Sequence, residues 1–353
     1  MFVEKYGSEL KLKYNNKNTF MFVVAAVSLP IFFIGFRSTY ADTGAYVYGY
    51  ENIKYTFDNI PEIFEDSKGP IFEMYQMFLN QVLHIVDYHW FLFITAVITT
   101  ISFFRFFYRY SVNFTFTLFL FYGSFYFFTL MNGIRQAFAT ALIMFFFDWV
   151  LEKKTIRFLI VVLIAFYIHN SAIIWFAMYF VVGGKPWSKK ILLSLGAILF
   201  FVFFSSAFTD LLDSALEETN YAGYTDQFSQ DDGVNPINVL VSAVPVILSL
   251  WKKKEIEEKA TPFINLCINA SLMGFAVFLL GAVTSGVLIG RMIYFFNIFN
   301  FVLIPWIIEN AFEGKDKTTI KLFCYGGYSL YFYLLSTALT KEEYISIFLN
   351  LVI

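Results

Sequence analysis

The chain is poor in charge. Only 15% of its 353 residues are Asp, Glu, Lys or Arg, against about a quarter in an average soluble domain. Its 25 basic and 27 acidic side chains nearly cancel, so no basic stripe exists to track a nucleic-acid backbone. Cysteine is down to two residues, Cys267 and Cys324, both in apolar runs. That excludes a disulfide framework and a cysteine-ligated zinc site. What fills the chain instead is apolar: 58% hydrophobic, 22% aromatic, 48 Phe, with a mean hydropathy of +0.63. Neither a soluble enzyme nor a disordered chain has this composition. The fold class it implies is an all-α polytopic integral membrane protein.

A spanning helix takes about 20 mostly apolar residues. Runs of that kind lie at 20–36, 90–107, 112–130, 133–150, 156–168, 172–182, 190–208, 236–251, 262–283, 287–308 and 319–339. They amount to eleven spanning or half-spanning helices in a single transmembrane domain over 1–353, the fifth and sixth too short to cross comfortably. No small-residue cleavage site follows the first run, so a signal peptide is not expected. With the N-terminus cytoplasmic and sides alternating, 19 of the 25 cations fall inside and 17 of the 27 acids outside, as the positive-inside rule requires. Two outer segments are large, 37–89 and 209–235. The first holds an amphipathic stretch at 69–86 that reads as an outer interfacial helix, with Gln76, Asn80 and His84 four apart on one face. Residues 344–353 read as a short interfacial or re-entrant helix.

Ionisable groups at membrane depth are costly and mark sites or pathways. Arg37, Arg135 and Arg291 sit at outer ends of apolar runs, against the positive-inside pattern. Arg135 follows Asn132, a fitting helix cap, in the first helical turn, where a cation opposes the helix dipole. Together with Gln136 and free backbone amides it would receive phosphate oxygens. Arg291 follows a Gly286/Gly290 pair, whose ordinary role is close helix packing. His169 and Asn170 lie in a turn between two short apolar runs. Asp42 stands near Arg37, available as its partner. Glu73 and Asp87 are weaker acidic candidates, and Asp148 at an inner helix end is expected to pair with nearby lysines.

Three arginines, a histidine and one or two carboxylates at one face suit the diphosphate of a membrane-dwelling lipid carrier. Aromatic rings such as Tyr46 suit sugars. A carboxylate or histidine can take a proton from an attacking hydroxyl, while arginines stabilise a departing diphosphate. No Asp-rich metal motif accompanies them, so neither metal nor other cofactor is expected.

Arg37 with Asp42-Thr43 and Tyr46, then Gly133-Ile134-Arg135-Gln136-Ala137, then Ile168-His169-Asn170-Ser171-Ala172, resemble the EpsG-type branch of the Wzy-like polysaccharide polymerases. The resemblance implies a GT-C-like architecture and a multi-pass protein of the bacterial plasma membrane. It further implies a glycosyltransferase whose active site faces outward. The implied substrate is undecaprenyl-diphosphate-linked oligosaccharide, joined into exopolysaccharide, capsule or O-antigen. Membrane lipid, a flippase and a chain-length regulator of the same pathway are the implied partners, with no nucleic acid. By position, His169, Asp42, Arg135 and Arg291 would be catalytic. Arg37, Gln136, Asn170, Thr43 and Tyr46 would bind diphosphate and sugar. The proton acceptor is left between His169, desolvated and neutral in its turn, and Asp42, which could equally position Arg37.

Two other classes compete. A flippase for the same lipid would carry repeated halves with spans broken near the midplane, and no motif repeats here. A membrane O-acyltransferase also uses a membrane histidine but has no need of three outward arginines.

Overall fold

The computed structural model describes residues 17–204, 234–284 and 292–338, with two short strands at 345–346 and 351–352. The chain groups into two compact units. The first comprises residues 1–111, 124–173 and 332–353, and the second 112–123 and 174–331.

The first unit opens with α1 (Lys17–Gly35), strand β1 (Arg37–Thr39), α2 (Thr43–Glu51), α3 (Ile60–Asp66), α4 (Pro70–Met77) and α5 (Tyr88–Tyr110). After α6 (Phe114–Gly123), which belongs to the second unit, come α7 (Tyr126–Asn132), α8 (Ile134–Phe145), α9 (Asp148–Leu151) and α10 (Thr155–Ile168). Strands β2 (Ile345–Ser346) and β3 (Leu351–Val352) complete it. Helix α5 is set by its ends. The Asp87 side chain accepts from the His89 N–H at its start, and Arg109 sits in its last turn, both favourable to the helix dipole. Helices α1 and α5 meet at Gly35, where an added Cβ would lie 2.9 Å from the Phe93 Cα. Only glycine permits that approach, and the rings of Phe36 and Phe93 close over it at 4.9 Å.

The second unit holds α6, α11 (Ile174–Val181), α12 (Lys189–Phe203), α13 (Pro236–Trp251), α14 (Lys253–Lys259), α15 (Pro262–Val283), α16 (Tyr294–Ala311) and most of α17 (Gly314–Ala338). Asn235 and Thr261 cap α13 and α15 through their side chains, each followed by proline, the residue that suits a first helical position. Gly274 of α15 faces Phe296 of α16, where an added Cβ would lie 2.7 Å from the Phe296 Cβ. Beside that contact Ser271 donates to Asn300, and Thr117 of α6 donates to the Phe301 carbonyl at 2.8 Å. Hydrogen bonds of this kind hold helices together where apolar burial alone gives no preference.

Among the described residues, α5 and α15 are each long and apolar enough to cross a bilayer; the sharply bent pairs α6 with α7 and α13 with α14 make up to four if each pair is one span. Residues 21–35, α8, α10 and 170–181 are apolar but shorter. The runs expected at 112–130 and 133–150 are each broken. Phe125 adopts a left-handed φ of 63° between α6 and α7. Helix α8 stops at Phe145, and α9 starts afresh at Asp148.

Three other expectations are corrected. Residues 345–346 and 351–352 form strands rather than part of a helix: β2 pairs antiparallel with both β1 and β3, with Arg37 opposite Ser346 and Thr39 opposite Ile345. A short apolar run has no helical period to enforce, and pairing satisfies its backbone. Gln76, Asn80 and His84 do not share a helical face. A π-turn over Phe78–Val82 shifts the register, and His84 lies beyond it at a φ of 54°. Asp148 pairs with arginines instead of lysines: Arg105 at 2.9 Å and Arg109 at 2.8 Å, with Tyr110 donating to the same carboxylate. Both arginines lie on α5, one turn apart, so their side chains reach one point.

Candidate active site

One corner of the first unit is built around Arg37. Its Nε donates to Thr43 Oγ1 at 2.8 Å, Nη1 to the Ile34 carbonyl, and Nη2 to the Met131 carbonyl at 3.1 Å. Arg37 is 1% exposed and Thr43 fully buried. Thr43 Oγ1 in turn donates to the Tyr40 carbonyl. One guanidinium thus ties the end of α1, the start of α2 and the end of α7 together. A rigid fork with five donors is the side chain suited to three acceptors at once.

Asp42 takes the N-cap position of α2, its carbonyl accepting from the Ala45 and Tyr46 N–H groups. Tyr46, a turn further on, meets Phe72 of α4 edge-on with ring centroids 6.1 Å apart. Phe72 and Tyr75 also pack on Phe138 of α8 and Phe91 of α5. That aromatic cluster fixes α4 against α8.

The junction above it brings together three chain segments distant in sequence. Gly69, which precedes Pro70 at the start of α4, is buried against α8 and α10. An added Cβ would lie 2.8 Å from the Ile168 carbonyl oxygen and 3.2 Å from Arg135 Nη1. Arg135 is in the first turn of α8, and Ile168 is the last residue of α10, directly before His169. The guanidinium of Arg135 and the turn carrying His169 therefore share one wall, the buried backbone at Gly69.

Asn132 is not the cap of α8. It ends α7, and Gly133 occupies the cap position without a side-chain bond. Two buried polar atoms here find no hydrogen-bond partner among the described residues: Arg135 Nε and Asn132 Oδ1. An unpaired guanidinium nitrogen in this setting is costly. Gln136, beside it, is buried. His169 Nδ1 is 2.6 Å from Ser171 Oγ, within a short 3₁₀ turn over Asn170–Ile173. Arg291, Gly286 and Gly290 lie outside the described residues.

One residue weighted lightly from sequence gains importance. Glu73 follows Gly69 by one turn, its N–H bonded to the Gly69 carbonyl at 3.1 Å. That spacing puts it on the helix face that meets Arg135. Burial pushes its carboxyl above the usual carboxylate range, and the charge of Arg135 pulls partly back. Gly-Pro followed one turn later by an acid was the available signal. Among the described residues, no three His, Cys, Asp or Glu side chains converge as for a metal ion.

The sequence profile of the EpsG family matches residues 20–348, nearly the whole chain. The chain belongs to the EpsG family. No curated protein and no solved structure matched it. With its apolar helices, family membership makes this EpsG-family chain a membrane protein. The family's match takes in the Arg37 corner and the Gly69–Arg135–Ile168 junction alike.

Proposed function

We propose that this EpsG-family protein is a glycosyltransferase that polymerises lipid-linked oligosaccharide repeat units at the outer face of the bacterial plasma membrane, in a GT-C-like helical architecture. The observation that carries the reading is Arg135 Nε, buried in the first turn of α8 and without a hydrogen-bond partner among the described residues. A half-buried cation with an uncommitted donor at the first turn of a helix fits an anion with several oxygens. In a membrane protein that handles polysaccharide, the fitting anion is the diphosphate of undecaprenyl-linked sugar.

In this reading Arg135 and Gln136 hold the diphosphate. His169 and Asn170 orient the acceptor hydroxyl. Asp42 and Tyr46 line the sugar side, and Arg37 with Thr43 keeps the corner in shape. Attack of the acceptor hydroxyl on the donor's anomeric carbon expels undecaprenyl diphosphate, whose growing charge Arg135 stabilises. No cofactor takes part. The test is to incubate purified protein with undecaprenyl-diphosphate-linked oligosaccharide. A ladder of products differing by one repeat unit is expected. Unchanged substrate would overturn this reading, and transfer of substrate across vesicles without new linkage would replace it with the flippase alternative.

A further inference from the structure

We infer that Glu73 of α4 is the group that takes the proton from the acceptor hydroxyl, a role resting on the polymerase reading above. Three structural facts carry it. Gly69, with no side chain, lets the start of α4 sit directly against Arg135 and the Ile168 carbonyl. Glu73 is one turn on, on that same face, and is half-buried. Among the described residues Arg135 Nε has no hydrogen-bond partner, so no ion pair to Glu73 runs through that nitrogen. A carboxylate close enough to feel the charge of Arg135, with a guanidinium nitrogen not committed to it, places a proton acceptor and a cation for a departing anion side by side.

Asp42 and His169 are each placed for other work. Asp42 begins α2, and His169 is engaged with Ser171 in its own turn. The groups that act on Glu73 are Arg135 on α8 and Tyr55 on the chain leading into α4, and that tyrosine also feels Glu62 and Asp66. Burial is the larger influence on the Glu73 carboxyl and Arg135 the opposing one. The result is a base nearer to neutral pH than an exposed glutamate, which makes proton transfer more effective.

The step balances. The acceptor O–H gives its proton to a Glu73 carboxylate oxygen, and its oxygen pair forms the new bond to the anomeric carbon. The bond from that carbon to the diphosphate oxygen breaks, and its pair leaves on the diphosphate beside Arg135. Glu73 then returns its proton to water.

The experiment compares wild type, Glu73→Gln, Glu73→Asp and, as a control on exposed α3, Glu65→Gln. Each full-length protein is purified and given undecaprenyl-diphosphate-linked oligosaccharide. Rates are read across pH, substrate binding by native mass spectrometry, and folding by thermal unfolding. Glu73→Gln should lose about 100-fold or more in kcat, with KM and binding little changed and Tm equal or higher. The acidic limb of its residual pH profile should vanish. Glu73→Asp should retain part of the rate, and Glu65→Gln all of it. An active wild type with an equally active Glu73→Gln overturns the assignment to Glu73 alone. So does a Glu73→Gln that is slow but keeps the acidic limb, or one that loses binding and Tm together. A folded wild type that binds substrate but forms no product overturns the polymerase reading, and Glu73's role with it.

Discussion

Arg37 reaches across 94 positions of sequence to donate to the carbonyl of Met131 at 3.1 Å. Met131 is four residues before Arg135, so the buried arginine braces the chain that presents the half-buried one. Removing the brace should therefore act through stability. Arg37→Met leaves three buried acceptors unpaired and is expected to cost about 2–4 kcal/mol. Arg37→Lys should recover less than half, because one ammonium cannot reach all three. Thermal unfolding in detergent measures this. A wild-type Tm for Arg37→Met, combined with lost substrate binding, would return Arg37 to the diphosphate grip that its sequence position implies.

Arg135 should respond in the opposite manner. Arg135→Lys keeps the charge but loses the planar fork, so polymerising activity should fall at least about tenfold while Tm holds. Full activity of the Lys variant would reduce Arg135 to an interfacial cation.

Glycines separate the junction from its surroundings. Gly69→Ala forces a Cβ to 2.8 Å from the Ile168 backbone oxygen, which neither neighbour can escape without moving α4 or α10. Activity should drop sharply, with stability lower by about 1–3 kcal/mol. Gly44→Ala within α2 meets nothing within 4 Å and should stabilise by about 0.5–1 kcal/mol. Measured side by side, equal effects would contradict the close approach at Gly69.

Asp148 holds two arginines of α5 at once. Asp148→Asn removes the charge that balances them. As both arginines are about a third exposed, solvent tempers the loss to about 1–2 kcal/mol. Activity per folded molecule should be unchanged. A large activity loss without a Tm change would tie this cluster to the reaction.

Sidedness is open to direct labelling. Both native cysteines are buried, so introduced ones report alone. In intact cells an impermeant thiol reagent should label Cys substituted at Asp58 or Glu65 and spare Cys at Lys254. Labelling at Lys254 would invert the topology read from the charge distribution.

Much of the helical layout is written in local signals. Helices α13 and α15 run over 236–251 and 262–283, the same bounds read from sequence. Their ends are marked by Asn or Thr caps, proline and a lysine-rich stretch. The breaks at Phe125 and Phe146 carry no such mark, since the run is apolar on both sides and Phe is no natural choice for a left-handed turn. The π-turn after Met77 was equally hidden, and it undid the face assigned to Gln76, Asn80 and His84. At the site, Arg135 was legible because a cation at a helix start needs a reason. Gly69 was not, because close approach to Ile168 is a property of tertiary packing that a lone glycine does not announce. The pairing of β1 with residues near 345 lay beyond any local pattern.

That pairing sets a schedule. Strand β1 is synthesised roughly 300 residues before the strand that completes its ladder. At about 5–20 residues per second, the backbone beside Arg37 waits roughly 15–60 seconds for its partner. During that interval the N–H and carbonyl groups on its open edge lack their ladder partners and are open to any extended chain nearby. The ladder beside Arg37 is thus among the last parts of the protein to form, and the ribosome's pace decides when it can.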